Sequence, residues 1–413
     1  MKKIMVLLLI LSFTFIEAGE EWSISKSDFI EATTCINGHF EVQWQKSYGK
    51  FSQWSARYEG PQPVGDADDD GKNELLIGGR DPFLRVMKWD ERRQTYYEQA
   101  KLVDPVFGIG YGVWIPLRED WIRLPQPFGS ATGFSIADID NDGKNEIGVA
   151  WGRHFSAFKW NGFRYKLMAR YIVIDGNEWG STLDCIVGDY DNDGENEVII
   201  TGGYQQTKSL IAIRWNGKEF VKEAEWGEKS IFFPWIADVD NDGENEVIVG
   251  HGRDLVVLKW NGDKFESHIH IIDTFGYQIF GCVAKDSNGD GKSEIHATFW
   301  APRLCIYEWN GNYEKIFDIT WQNEEDTIEA IDVGDVDNDG IAEICVGTDK
   351  VHILQWNGTG YEEEYLIEET YGLLAITCVG DFDNDDMLEI NAGAVGVRQG
   401  EEYKSWIFKY VED

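Results

Sequence analysis

Seven nine-residue stretches of this chain carry side-chain oxygens at positions 1, 3, 5 and 9, a spacing suited to holding a hard metal ion. They read DADDDGKNE from Asp66, DIDNDGKNE from Asp138, DYDNDGENE from Asp189, DVDNDGENE from Asp238, DSNGDGKSE from Asp286, DVDNDGIAE from Asp335 and DFDNDDMLE from Asp381. A backbone carbonyl is available at position 7, and Gly at position 6 permits a sharp turn. Calcium takes roughly six to eight oxygen ligands in flexible geometry, so each stretch reads as a calcium cage, giving about seven sites. The candidate ligands are Asp66, Asp68, Asp70 and Glu74; Asp138, Asp140, Asp142 and Glu146; Asp189, Asp191, Asp193 and Glu197; Asp238, Asp240, Asp242 and Glu246; Asp286, Asn288, Asp290 and Glu294; Asp335, Asp337, Asp339 and Glu343; and Asp381, Asp383, Asp385 and Glu389. Asp, Asn and Gly also make plain surface turns. Seven recurrences of one acid spacing argue against so bland an origin.

The elements around the loops follow from what flanks them. An EF-hand would place its last Glu at position 12 between helices, whereas here the acid at position 9 runs straight into EIGVA, EVIIT, EVIVG or EICVG. Those are strands, and apolar residues also lead in, so each loop joins two antiparallel strands. In the fourth unit, FFPWIADV, the loop, EVIVGHG, RDLVVLKW and KFESHIHIID give four strands, the last two meeting at Asn261-Gly262. Asn-Gly is a strong hairpin signal, and a Trp precedes it at Trp160, Trp215, Trp260, Trp309 and Trp356, with Trp89-Asp90 in the first unit. These tryptophans are expected to pack between neighbouring units rather than to stack on sugars.

Four strands per period of about 50 residues is the signature of a propeller blade. The expected fold is all-β, a seven-bladed β-propeller of four-stranded antiparallel blades. The chain ends where a last strand is due, while Asn37-Gly38 and HFEVQWQ look like a fourth strand without the preceding three. The N-terminal strand is therefore expected to close the last blade beside the segment around Trp406 to Tyr410. Pro61 and Pro63 precede the first loop, in what should be an inner edge strand, where proline is tolerated.

Met1 to Ala18, with two lysines and an apolar run from Ile4 to Ile16, reads as a signal peptide, leaving 19–413 as one propeller domain. No later run is long enough to span a membrane, so a secreted, extracellular or cell-surface protein is expected. A formal charge of −37 argues against nucleic acid or an anionic membrane as partner. Six cysteines would fit a disulfide framework, but their strand positions, with Cys282 and Cys305 two strands apart, predict mostly buried thiols.

With these loops, the period, and aromatic-Gly pairs at Phe128-Gly129, Trp179-Gly180 and Tyr371-Gly372, the chain resembles the FG-GAP, or integrin alpha N-terminal-like (VCBS-type), calcium-binding propeller repeats. The resemblance covers nearly the whole chain after residue 18 and implies calcium in the loops and ligand recognition on the opposite face. The chain departs from the pattern at Asp386, which replaces the turn Gly. The opposite face is expected to receive Arg80, Arg153, His154, Tyr204, Arg253, Arg303 and Lys350 from the connections between second and third strands. An insertion at about 104–128, carrying Trp114 and Trp121, should join them. The leading expectation is a non-enzymatic binding or adhesion module for a glycan or protein. The DGKNE ending also resembles rhamnogalacturonan lyases, so a carbohydrate-active enzyme is the alternative, and a structural surface-layer component is a third.

Overall fold

The computed structural model describes residues 38–50, 56–58, 60–79, 82–104, 108–115, 120–126, 131–174, 181–202, 208–272, 277–321, 328 and 331–412. The proposed signal segment, and the Phe128-Gly129 and Trp179-Gly180 pairs, lie outside the described residues. No described residue is helical. Among the described residues no helix is long and apolar enough to cross a membrane.

Seven antiparallel sheets form a ring, one per acidic loop. The second blade shows the plan. Gly133–Ala137 is innermost, Glu146–Ala150 and His154–Trp160 follow, and Tyr165–Ile172 is outermost. Blades three to six repeat it over 182–226, 234–272, 279–320 and 331–367. Inner strands of successive blades are neighbours all the way round, which closes the ring. The first blade differs at its inner edge. There Ala56–Tyr58 and Val64–Gly65 each pair with Glu74–Gly79, and Pro61 and Pro63 occupy the interruption between them.

The seventh blade is completed from the other end of the chain. Gly38–Gly49 runs antiparallel to Tyr403–Glu412, from Gly38 opposite Glu412 to Gly49 opposite Tyr403, and becomes the outermost strand of that sheet. This is the closure that the orphan N-terminal strand implies. Its side chains bridge both neighbouring blades. The Phe40 ring meets Tyr365 of blade six edge-on at 5.2 Å, and Trp44 meets Tyr96 of blade one at 6.0 Å.

The core is a set of wedges between blades. Leu76 and Val86 of blade one pack with Ile147 and Val149 of blade two, and the last wedge joins Leu75 and Ile77 to Cys378 and Ile407. Second strands such as Glu146–Ala150 are buried throughout, because a blade stands on each side of them. Outermost strands such as Tyr165–Ile172 expose much of one face, and their polar residues lie there. The repeated tryptophans lie in or beside these wedges, each also against the ring that opens the fourth strand, as in Trp160–Tyr165 at 4.8 Å and Trp260–Phe265 at 5.3 Å. The five described cysteines are buried thiols. Cys282 and Cys305 face the same residue, Ala297, from opposite sides of the strand between them.

Candidate metal loops and the opposite face

Each acidic loop first serves its own backbone. In five loops the position-1 carboxylate accepts backbone N–H groups from positions 5 and 6, as Asp138 does from Asp142 (3.0 Å) and Gly143 (2.8 Å), while in loops five and six the position-5 N–H turns to the position-3 side chain. The position-9 Glu is buried at the start of the second strand, and in every loop but the third its Oε2 accepts the position-2 N–H, at 3.0 Å for both Ile139 to Glu146 and Val239 to Glu246. These bonds pull the acids into one cluster. In five of the clusters, three or four carboxylates have ligand atoms all within 4.8 Å of one another, including Asp335, Asp337, Asp339 and Glu343. The turn itself needs a left-handed residue at position 6. Glycines from Gly71 to Gly340 supply it at φ 83–93°, and in the last loop Asp386 adopts φ 71° and keeps its N–H on Asp381.

Neighbouring loops are stitched together by asparagine. The position-8 side chains of Asn73, Asn145, Asn196 and Asn245 each donate to the position-1 carbonyl of the preceding loop, at 2.9–3.0 Å. Position-4 asparagines accept in return, as Asn141 does from the Asn196 N–H at 2.7 Å. The chain of contacts runs from loop seven through loops one, two and three to loop four. Loops five, six and seven carry Ser293, Ala342 and Leu388 at position 8 instead.

Four loops contain a cation of their own. Lys88, Lys159 and Lys259 project from third strands, and Lys409 from the corresponding strand of the closing blade. Each ammonium lies 2.5–3.0 Å from the carboxylates at positions 3, 5 and 9 of its loop: Asp68, Asp70 and Glu74; Asp140, Asp142 and Glu146; Asp240, Asp242 and Glu246; Asp383, Asp385 and Glu389. Burial opposes the charged lysine, but the three acids outweigh it and hold each ammonium above its usual range. Reading the loops alone misses these lysines. The available signal was their constant place, one residue before the repeated Trp or, at Lys409, before Tyr410.

The same position holds Arg214, Glu308 and Gln355 in blades three, five and six. Arg214 pairs with Glu223 at 2.5 Å, Gln355 donates to Asp339 (2.8 Å) and Glu343 (3.0 Å), and in loop five Asn288 donates to Glu294 at 2.9 Å. Among the described residues no ammonium bridges the acids of these three clusters; Lys292 only approaches Asp290, at 3.8 Å. Burial, followed by repulsion from Asp191 and Asp193, pushes the Glu197 carboxyl up to about 9, against about 7 for Glu146 beside its lysine. Glu197 is 2% exposed, and its Oε2 has no hydrogen-bond partner.

On the opposite face the expected ligand residues have different fates. Arg303 is 2% exposed and bidentate with Asp318, at 2.9 and 2.7 Å, so its charge is engaged inside the blade. Arg153 donates to the Ile174 carbonyl at 3.0 Å, Lys350 meets Glu368 at 2.8 Å, and Arg253 is exposed. Arg80 and Tyr204 lie outside the described residues. The insertion forms a two-stranded hairpin, Gly108–Ile115 with Asp120–Gln126, that belongs to none of the seven blades and sets Trp114 directly across from Trp121. It leaves from the fourth strand of blade one and re-enters at the first strand of blade two. By strand alternation it therefore emerges on the face opposite the acidic loops. Asp104, just before it, is buried and held by Arg170 (2.5 Å) and His154 (3.2 Å) of blade two, with Ser156 also donating.

Comparison with known proteins agrees with this architecture. Residues 238–297, spanning the loops of blades four and five, match the FG-GAP-like repeat. No curated protein sequence matches the chain. Among solved structures, BBS1N in complex with ARL6DN, soaked with mercury, superposes with a TM-score of 0.58 at 11% identity, covering 91% of this chain and 98% of the other. The Saccharomyces cerevisiae protein Sqt1 gives 0.51 at 11% identity, covering 92% and 100%. At such identity the likeness is one of fold.

Proposed function

The protein is an FG-GAP-like β-propeller, and from that premise we propose that it is an exported, non-enzymatic binding module that presents a rigid ring surface to a protein or glycan ligand. The observation that carries this reading is the hairpin of residues 108–126, the one described strand pair outside the blade plan. Connections held on a rigid scaffold are where propellers and other β folds place recognition, and Trp and Arg are frequent anchors there. Trp114, Trp121 and Arg123 all lie on the hairpin, and Arg153, Arg253 and Lys350 on connections at the same face. A protein ligand gains support from BBS1N, whose structure was determined in complex with ARL6DN. The cations favour an acidic protein segment or an acidic glycan.

Calcium is the cofactor assigned to the loops. Their donor set is all oxygen, and the buried, unpartnered Glu197 oxygen is the kind of group a cation would satisfy. The ion would supply rigidity to the loop face and no step of any reaction. Extracellular modules bind calcium at roughly 0.1–1 mM, and tenfold excess over the dissociation constant stabilises by about 1.4 kcal/mol per site.

The test is a glycan array and a cross-linking survey of surface proteins, run with calcium and with chelator. The unaltered protein is set beside a variant with residues 108–126 replaced by a short Gly-Ser linker. Binding lost in the linker variant at unchanged melting temperature is the expected result. Equal binding by both proteins would move the site elsewhere, and release of a shortened glycan on incubation would make the protein an enzyme.

A further inference from the structure

The seven acidic loops share one sequence pattern but not one charge environment. In loops one, two, four and seven, the lysine ammonium stands in the middle of the cage, on the oxygens at positions 3, 5 and 9 that a metal would need. A calcium ion at about 2.4 Å from those oxygens would lie within roughly 3 Å of the nitrogen, so the two cations exclude one another. Each of these cages also keeps a buried position-3 oxygen without a partner, Oδ1 of Asp68, Asp140, Asp240 and Asp383. An arriving ion would find ligands there only by expelling the lysine.

In the remaining three loops the neighbouring strands bring other groups instead. Glu223 on the fourth strand of blade three accepts a hydrogen bond from the hydroxyl of Tyr190, position 2 of the loop, at 3.1 Å and holds Arg214 at 2.5 Å. In blade six the buried Oε2 of Glu364, next to the Tyr365 whose hydroxyl donates to Asp337 at 3.3 Å, has no partner. In blade five, Glu308 takes the register position held by lysine in the closed loops, opposite Glu314 of the fourth strand. Where the closed loops have an ammonium, blades three, five and six have Arg214 (held by Glu223), Glu308 and Gln355 respectively.

We infer that the loops divide into two chemical classes. Four hold an internal ammonium in the place a metal would take, and take no metal. Three, at Asp189–Glu197, Asp286–Glu294 and Asp335–Glu343, take a divalent oxygen-seeking cation. The residue one place before the turn aromatic decides the class. The metal half of this division rests on the calcium reading above, while the lysine half does not.

Two measurements separate them. Native mass spectrometry of the full chain in calcium should count three bound ions. Lys159→Gln and Lys259→Gln should each raise the count by one, and Gln355→Lys should lower it by one. Seven ions on the unaltered protein, or a count unmoved by these substitutions, would overturn the division. Acetylation of lysines, read by peptide mass spectrometry, needs no calcium at all. Lys88, Lys159, Lys259 and Lys409 should resist acetylation in chelator and in calcium alike, while the more exposed Lys292 and Lys315 react at least tenfold faster. Rapid labelling of the four in chelator, or their exposure on adding calcium, would refute the internal ammonium. No bound calcium with all four protected would end the metal reading and leave lysine closure standing.

Discussion

Replacing Phe40 with alanine should loosen the whole ring, although this residue lies at one end of the chain and is only half-buried. Its ring contacts Tyr365 of blade six at 5.2 Å and Tyr410 of its own blade at 5.5 Å. Half-burial of a phenyl side chain stabilises by about 1 kcal/mol, and each favourable ring pair adds about 1 kcal/mol beyond area. The loss is then about 3 kcal/mol, a large share of the roughly 5–15 kcal/mol by which folded domains exceed the unfolded state. At this chain length 1 kcal/mol moves the melting temperature by about 1–2 °C, extrapolating from smaller domains, so a drop of about 3–6 °C is expected. The assay is thermal unfolding followed by tryptophan fluorescence, with urea midpoints as a check. Val411→Ala on the adjoining strand, at a side chain 37% exposed, serves as the control and should shift stability by less than about 0.5 kcal/mol. If Phe40→Ala melts with the control, the N-terminal strand pairs with Tyr403–Glu412 without closing the ring energetically, and the argument fails. Deleting residues 38–49 should be worse, since it also removes Trp44 and the Gln43 amide that donates to Asp383 at 2.6 Å.

The other predictions concern single positions. A Cβ at Gly133 would stand 2.2 Å from the Asp184 Cα of the next inner strand, so Gly133→Ala should cost roughly 1–3 kcal/mol or more in denaturant unfolding; an unchanged midpoint would refute the close approach. Asp386→Gly should raise stability by about 0.5–1 kcal/mol in chelator by relieving φ 71°, and a loss would show that the aspartate side chain matters more than its strain. Burial raises the Asp104 carboxyl, but His154, Arg170 and Ser156 together hold it well below the usual carboxylate range. A depressed folded value means that its stabilisation is complete above the unfolded value, near pH 4, and is lost as pH falls below that. Asp104→Asn should cost about 3 kcal/mol at pH 7, because it leaves the Arg170 charge against a neutral partner, and should flatten the acid limb of the stability curve between pH 4 and 2; parallel curves would contradict it.

Asn73, Asn145, Asn196 and Asn245 give the loop face a second level of order. Their bonds tie loops seven, one, two, three and four into one arc. Between blades five, six and seven the link passes instead through the inner strands, where Lys285 meets Asp332 at 2.5 Å and Asp332 accepts the Val379 N–H at 2.8 Å. The ring is thus held by different polar contacts on its two sides, over apolar wedges of one kind throughout.

Some of this was settled within the sequence. The positions of oxygens within a nine-residue loop, the Asn-Gly hairpins, the alternation of strands and the orphan strand after Asn37 are short-range patterns, and short-range patterns fix local backbone geometry. They sufficed for the fold, the blade count and the closing strand. The loops themselves, however, look alike in sequence whether or not a lysine fills them. Lys159 lies 17 residues beyond Asp142 and reaches it only because two strands pair in one particular register. In blade six a separation of 16 residues brings Gln355 rather than an ammonium to its loop, and in blade three Glu223 draws Arg214 to itself. Likewise Arg303, which reads as a surface cation, is drawn into the blade by Asp318 across the hairpin. Charge balance in a cage is summed over every strand that faces it, so tertiary packing, which sets those neighbours, decided which loops contain a lysine ammonium.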